Sequence, residues 1–333
     1  MNSPKDIQID AVFTWVDGND PNHIDKMLPY MSGKNNWNNK KFKTRFQQVN
    51  EIEYSVRSII KFAPFIKKIY IVTDNQTPLF LKEYNLNKKE NEPEIKIIDH
   101  SVIFSEYQEI LPVFNCRPIE TLLYKIPNLS EHFVYFNDDF ILFKPLKKTD
   151  FFVNGFPVLR GKWTLMDDKK LFRKAQNHIL KILGKPTKDK TYGYKRGQQN
   201  AAKKTGFQQK YFRIDHTPAP MRKSTFEKYF IENPNIEQTN VLHRFRNPVQ
   251  YVLQSLANHI EIKNNTAHLI NNFQLLYFGS YKKPLFWIQY KLKKACRNEN
   301  VKFLCMQSLD MCPQDKLNFL LGWLDTHLKI END

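Results

Sequence analysis

The sequence predicts a doubly wound α/β sheet followed by a helical C-terminal part. Short β-branched and aromatic runs recur at Ile7 to Val16 (IQIDAVFTWV), Ile69 to Thr73, Ile95 to Asp99 and His132 to Asn137. Each ends in an acidic or polar turn, and helical periodicity fills the chain between them, which is the pattern of a sheet with helices on both faces. Beyond Asn265 the reading changes to helices, including Phe273 to Tyr277, Leu285 to Lys294 and Asp315 to Leu328.

The first run breaks at Asp17-Gly18-Asn19-Asp20-Pro21. Open α/β sheets bind nucleotides beyond the carboxyl ends of their strands, so Asp17 and Asp20 are candidate site residues, with a plain Asx turn as the competing reading. Residues 23–50 are polar and rich in Asn and Lys, an excursion from the sheet. From Glu51 the chain turns helical, with Ile52, Val56, Ile59 and Ile60 at helical spacing and a stop near Ala63-Pro64. Arg57 lies off that apolar stripe, either solvated or reaching a phosphate. The second run ends at Asp74 and the third at Asp99-His100-Ser101. Asn115 precedes a helix carrying Ile119, Leu122, Leu123 and Ile126, and Arg117 near its start adds a cation to the positive end of the dipole.

The fourth run, HFVYFNDDFILF, places Asn137, Asp138 and Asp139 inside an apolar stretch. Burying unpaired carboxylates there costs several kcal/mol each, on the order of magnitude known for buried charges, so the strand opens into a polar site or ends in an acidic turn. Such a pair suits a hard divalent cation and the diphosphate it brings.

The 333 residues suffice for one large domain, and the 41% hydrophobic content excludes a disordered chain. No apolar run reaches 18 residues, and Met1 to Asp10 has no signal-peptide core, so a cytoplasmic protein is expected. The four cysteines lack metal-pair spacing and read as reduced thiols. A net charge of +17 fits anionic partners or a solvated, lysine-rich surface; no nucleic-acid-binding signature accompanies it, and nucleic acid is not expected. The basic, Gly-broken segment at about 160–210 reads as a solvated insertion or a lid over an anionic polymer, with Tyr192, Tyr194, Phe207 and Tyr211 available for sugar stacking or core packing. FWIQYKLKKACR has aromatic and basic faces, which fit peripheral contact with an anionic membrane at the inner face of the cytoplasmic membrane, or a core-packed helix with a wet side.

Taken together, IDAVFTWVDGNDP, EIEYSVRSIIKFAPFIKKIYIVTDNQTP, DHSVIF, LPVFNCRPIE and HFVYFNDDF resemble, in order, the first two regions of the Stealth family of hexose-1-phosphate transferases, which includes bacterial capsule polymerases and GlcNAc-1-phosphotransferase. RIDHTPAPMRKSTFEKYF with NVLHRFRNP resembles the third region, and VKFLCMQSLD the fourth. The resemblance implies a GT-A-like, Rossmann-like catalytic domain over about 1–265, with 266–333 packing on it. It implies that N-acetylhexosamine 1-phosphate moves from a UDP-sugar to a hydroxyl of an anionic, phosphodiester-linked polysaccharide, with UMP released. By the same resemblance His216 is the general base, Arg246 the phosphate clamp, and Asp138 and Asp139 the Mg²⁺ ligands. Asp17, Gly18, Arg57, Asp74, Asn115 and Arg244 fall on the donor side. Three departures accompany it: Glu53 where Arg is usual, Cys116 where Ser is usual, and Gln250 where an acidic residue usually follows Arg246. A conventional glycosyltransferase releasing UDP and a non-catalytic polyanion-binding protein are the alternatives.

Overall fold

The computed structural model describes residues 7–31, 49–170, 179–180, 182–184 and 193–329. Four parallel strands come first: β1 (Ile9–Thr14), β2 (Lys68–Thr73), β3 (Glu94–Asp99) and β4 (His132–Asn137). Their apolar runs follow from burial on both faces. Ile9, Ala11 and Phe13 pack with the helix Glu51–Phe62 and the C-terminal helices, whereas Val12, Tyr70, Val72 and Tyr135 pack on the opposite side with Ile119, Leu122 and Leu256.

A turn at Asp138 and Asp139 takes the chain into β5 (Phe140–Leu142). The hairpin β6 (Phe152–Val153) and β7 (Phe156–Arg160) follows, then β8 (Lys162–Leu165), which pairs antiparallel with β9 (Lys210–Arg213). β10 (Ala219–Arg222) returns antiparallel to β4, completing the order β10-β4-β1-β2-β3. Three further strands lie near the C-terminus: β11 (His268–Ile270) beside β7, β12 (Leu275–Phe278), and β13 (Phe303–Met306) between β12 and β5.

The helices expected near the C-terminus lie at Leu285–Cys296 and Gln314–Leu328. Phe273 to Tyr277, read as helix from sequence, instead contains most of β12: an apolar run this short fits either period, and pairing with β13 decides it. The C-terminal part is therefore not purely helical. Leu320, Leu324 and Leu328 share one core with Phe13 and Phe136, so residues from the first strand and the last helix pack together. The helical piece read near Leu171 to Leu183, and Tyr192, lie largely or wholly outside the described residues.

Candidate active site

The order of the sheet decides where a site can form. From β1 the chain moves outward to β2 and β3, then returns to place β4 on β1's other side. This reversal leaves a crevice at the carboxyl ends of β1 and β4, where open α/β sheets take their ligands. Thr14 and Asn137 face each other there in register. The Tyr135 hydroxyl donates to Asn137 Oδ1 at 2.7 Å, shares a 2.8 Å hydrogen bond with Thr14 Oγ1, and lies 3.3 Å from Glu120 Oε1. The end of β4 is thus a fixed polar platform.

Two cavities meet on this platform, and Cys116, Asn137 and Arg246 line both. One extends beneath β10 past Arg117, Glu120, Arg160, Tyr194 and His216. The other opens over β1 between Trp15, His23, His100, Phe114 and Asp138.

The pairing of β10 brings His216 to the first cavity. Ala219 lies opposite Tyr135, two residues before the end of β4, so the antiparallel course carries His216 past Asn137. The imidazole stacks on Tyr277 with centroids 5.2 Å apart, contacts Tyr194 at 5.0 Å and meets Phe140 edge-on at 6.2 Å. Burial lowers its pKa despite the opposing charge of Asp215, which keeps the ring neutral and able to accept a proton at neutral pH.

Arg246 reaches the boundary of the cavities from the loop after the helix Pro234–Val241, with Nη2 3.7 Å from Cys116 Sγ. Gln250 fixes this loop. Its Oε1 accepts from Asn247 N at 2.9 Å and from Asn115 Nδ2 at 2.8 Å, while Nε2 donates to Asn240 O at 2.8 Å. A carboxylate at 250 has no proton for Asn240 when ionised, so the amide matches these partners. Asn115 itself caps the helix Cys116–Thr121 by accepting from Arg117 N, and it lines the Trp15 cavity. At Cys116, burial and Glu120 raise the thiol pKa and keep it protonated.

Asp138 lines the Trp15 cavity; Asp139 turns toward β13, where Cys305 Sγ donates to its Oδ2 at 3.4 Å. Asp139 Oδ1 is buried without a hydrogen-bond partner. Burial raises both pKa values, and Asp138 raises that of Asp139 further. Glu51 is raised as well, by burial and then by Asp138, so three carboxylates crowd one another. Carboxyls whose ionisation is disfavoured by burial and for want of counter-charge, one of them with an orphaned buried oxygen, fit a cation that would supply it. Among the described residues no three metal-ligating side chains converge to enclose one unaided. This donor set suits Mg²⁺, which keeps few protein carboxylates and completes its shell with water and substrate phosphate.

The remaining candidates stand outside the two cavities. Asp17 forms a plain Asx turn, accepting from Asn19 N at 2.9 Å, and with Asn19 and Gln76 lines a separate depression; Gly18 follows it in the turn. Asp20 caps the helix Pro21–Met27. Asp74 is held by His23 at 3.5 Å and Lys26 at 3.1 Å, which lower its pKa to about 2; His23 and His100, whose charge it also feels, stand between it and the Trp15 cavity. Arg57 points away, its Nη1 2.9 Å from Asp325 on the last helix, and so does not reach toward a phosphate. Arg244 stacks over Tyr30 at 4.7 Å and donates to Glu109 O at 2.7 Å, bracing the loop that leads to Asn115. Tyr211 is fully buried and cannot meet a sugar, and the half-buried Phe207 packs on Trp163 and His259, the core use.

Sequence reading passed over Arg160, Gln254 and Asn258, all lining the His216 cavity. The last two had a usable signal: they stand four apart, on one face of the Leu253–Lys263 helix. Arg160 was hidden inside the basic segment.

Two family models match the chain: Stealth protein CR1, conserved region 1, over residues 8–35, and Stealth protein CR2, conserved region 2, over residues 45–158. Capsular polysaccharide phosphotransferase fcs1 of Haemophilus influenzae is 36% identical over 251 residues, 74% of this chain and 62% of that protein. LcbA of Neisseria meningitidis, similarly named, is 42% identical over 156 residues, 46% of this chain and 40% of that protein. WcwK of Streptococcus pneumoniae, also so named, is 31% identical over 264 residues and is matched over 74% of its length. This chain thus spans under two thirds of the first two relatives. Among solved structures, the galactosyltransferase LgtC overlaps 97% of this chain with a TM-score of 0.45 and 11% identity, too distant to bear on chemistry. On the matched regions and the length shared with these relatives, the chain belongs to the Stealth family.

Proposed function

We propose that this protein transfers a sugar 1-phosphate, that of an N-acetylhexosamine, from a UDP-sugar to a hydroxyl of a growing capsular polysaccharide. The observation that carries the reading is the convergence of His216 and Arg246 on one cavity at the β1/β4 crevice. The names of the relatives, capsular polysaccharide phosphotransferases, support the reaction class.

The acceptor hydroxyl lies in the His216 cavity and the nucleotide in the Trp15 cavity, where Trp15, Phe114 and His23 offer flat faces. His216 takes the hydroxyl proton as the acceptor oxygen attacks the phosphorus bearing the sugar. A new O–P bond forms, the bond to the bridging oxygen breaks in line, and UMP leaves. Arg246, at the shared boundary, offers its guanidinium to the phosphate oxygens as charge moves onto them. Asp138 and Asp139 would hold Mg²⁺, which would neutralise charge on the diphosphate. The exposed Phe286, Trp287 and Tyr290, followed by Lys293 and Lys294 on one helix, support contact with an anionic membrane surface.

The test is incubation with UDP-GlcNAc or its C2 epimer UDP-ManNAc and a short phosphodiester-linked oligosaccharide, with Mg²⁺ or with chelator. A new phosphodiester resonance in the phosphorus NMR spectrum, with UMP and loss on chelation, is the expected result. UDP in place of UMP contradicts the reading.

A further inference from the structure

Arg160 ends β7 at 5% exposure and lines the His216 cavity. Among the described residues its hydrogen-bond and ring partners are all uncharged. Nε donates to Gln274 Oε1 at 2.7 Å, Nη1 lies 3.5 Å from Val158 O, and the guanidinium covers the Phe303 ring at 5.0 Å. Among the described residues no carboxylate stands within ion-pair distance; Asp150, whose charge it feels, is engaged by Lys302. Burial lowers its pKa to about 10, which leaves it charged at neutral pH. A buried, unpaired guanidinium is costly and suits a site completed by an anion from outside.

The cavity holds more positive charge than one transferred phosphate needs. Arg117 is 9% exposed, with Nη1 donating to Tyr251 O at 3.2 Å, and it too lacks a carboxylate among the described residues. Of the two acidic groups lining the cavity, Asp215 pairs with Arg213 at 2.8 Å, leaving Glu120 against Arg117, Arg160 and Arg246. Arg246 borders both cavities, whereas Arg160 lines that of His216 and not that of Trp15, on a strand that pairs with β6 and β11 outside the parallel sheet. An anion at Arg160 therefore comes with whatever fills the His216 cavity.

We propose that Arg160 binds a phosphodiester already present in the acceptor, so that the enzyme selects a chain that carries phosphate over a neutral saccharide. This rests on the reading of the His216 cavity as the acceptor side. It makes Arg160 a specificity-determining residue, one that acts on which acceptor is held.

The experiment measures binding by calorimetry to the donor-free full chain. The probes are a phosphodiester-linked N-acetylhexosamine oligosaccharide and the same terminal saccharide without phosphate. The wild type is expected to prefer the phosphorylated probe by about tenfold or more, as a charge-assisted contact gives. Arg160→Met should bring the two affinities within about twofold, and Arg160→Lys should keep part of the preference, since it retains charge and loses the fork. Arg160→Met should melt no lower than the wild type, because it removes an unpaired buried charge and keeps an apolar stem. No preference in the wild type, an undiminished preference in Arg160→Met, or equal loss for both probes with a lowered melting temperature would each overturn the proposal. The measurement involves no turnover, so a failure to release UMP, which counts against the proposed reaction, leaves it readable.

Discussion

His216 and Arg246 stand thirty residues apart in sequence and line one cavity, so the chemistry assigned to them can be tested one side chain at a time. Replacing a positioned general base costs about 10²–10⁴ in rate, and His216→Ala should lower kcat by that much while leaving UDP-sugar binding near wild type. The pH profile adds a sign. Burial lowers the imidazole pKa, so the neutral base persists to lower pH than usual. The acidic limb of kcat/KM should fall below the ordinary imidazole value of about 6.5 and vanish in the variant. At Gln250, a carboxylate loses the donor that Asn240 O accepts from and leaves that carbonyl buried and unmet. Gln250→Glu should therefore destabilise the fold by about 1–3 kcal/mol in urea unfolding, and an unchanged midpoint would show that the amide is not needed. These roles were partly legible. Asn115 announces itself as a helix cap, and Asp138 and Asp139 as polar interruptions of an apolar run. Arg57 had equal local claims but is paired with Asp325, 268 residues away, a contact that no local pattern encodes. Alternation along a strand already sets Asp138 and Asp139 on opposite sides; that the first meets the Trp15 cavity and the second Cys305 depends on elements far along the chain that no local pattern encodes.

At the scale of elements, the strands of the parallel sheet were readable because burial on both faces leaves continuous apolar runs. β12 and β13 were not, since each is a short apolar segment whose identity as strand rests on its partner. The same argument makes Arg57 a useful control. It joins the helix Glu51–Phe62 to the last helix through a partly exposed ion pair, of the kind that contributes about 0–1 kcal/mol. Arg57→Ala should leave turnover intact and shift thermal stability only slightly; a loss of turnover comparable to that of His216→Ala would return Arg57 to the site. The Leu285–Cys296 helix keeps Ile288, Leu292 and Ala295 buried and turns Phe286 and Tyr290 outward, at 67% and 59% exposure. Vesicles containing anionic lipid should retain the wild type in flotation and release a Phe286→Ser, Tyr290→Ser double variant, whereas equal retention would make the aromatic face irrelevant to membranes.

Across the whole molecule, one sheet separates two cores and leaves its polar work to the carboxyl ends of β1 and β4. The helical packing that closes the His216 cavity includes His259, fully buried, whose Nε2 accepts from Phe212 N at 3.0 Å and whose pKa burial lowers to about 4. In the window between about 4 and the unfolded value near 6.5, the unfolded chain binds a proton here that the folded chain does not. Its contribution is complete above that window and is lost as pH falls through it. The stability difference between wild type and His259→Asn should accordingly shift against the wild type from pH 7 to pH 4.5 in chemical denaturation. The central claim concerns which bond breaks. A UDP-sugar carrying ¹⁸O in the bridge between the anomeric carbon and phosphorus separates the two chemistries directly. Sugar-phosphate transfer leaves that bridge intact, so mass spectrometry should find the label in the polysaccharide product and unlabelled UMP released. Label leaving with UDP would mean attack at the anomeric carbon and would contradict the account.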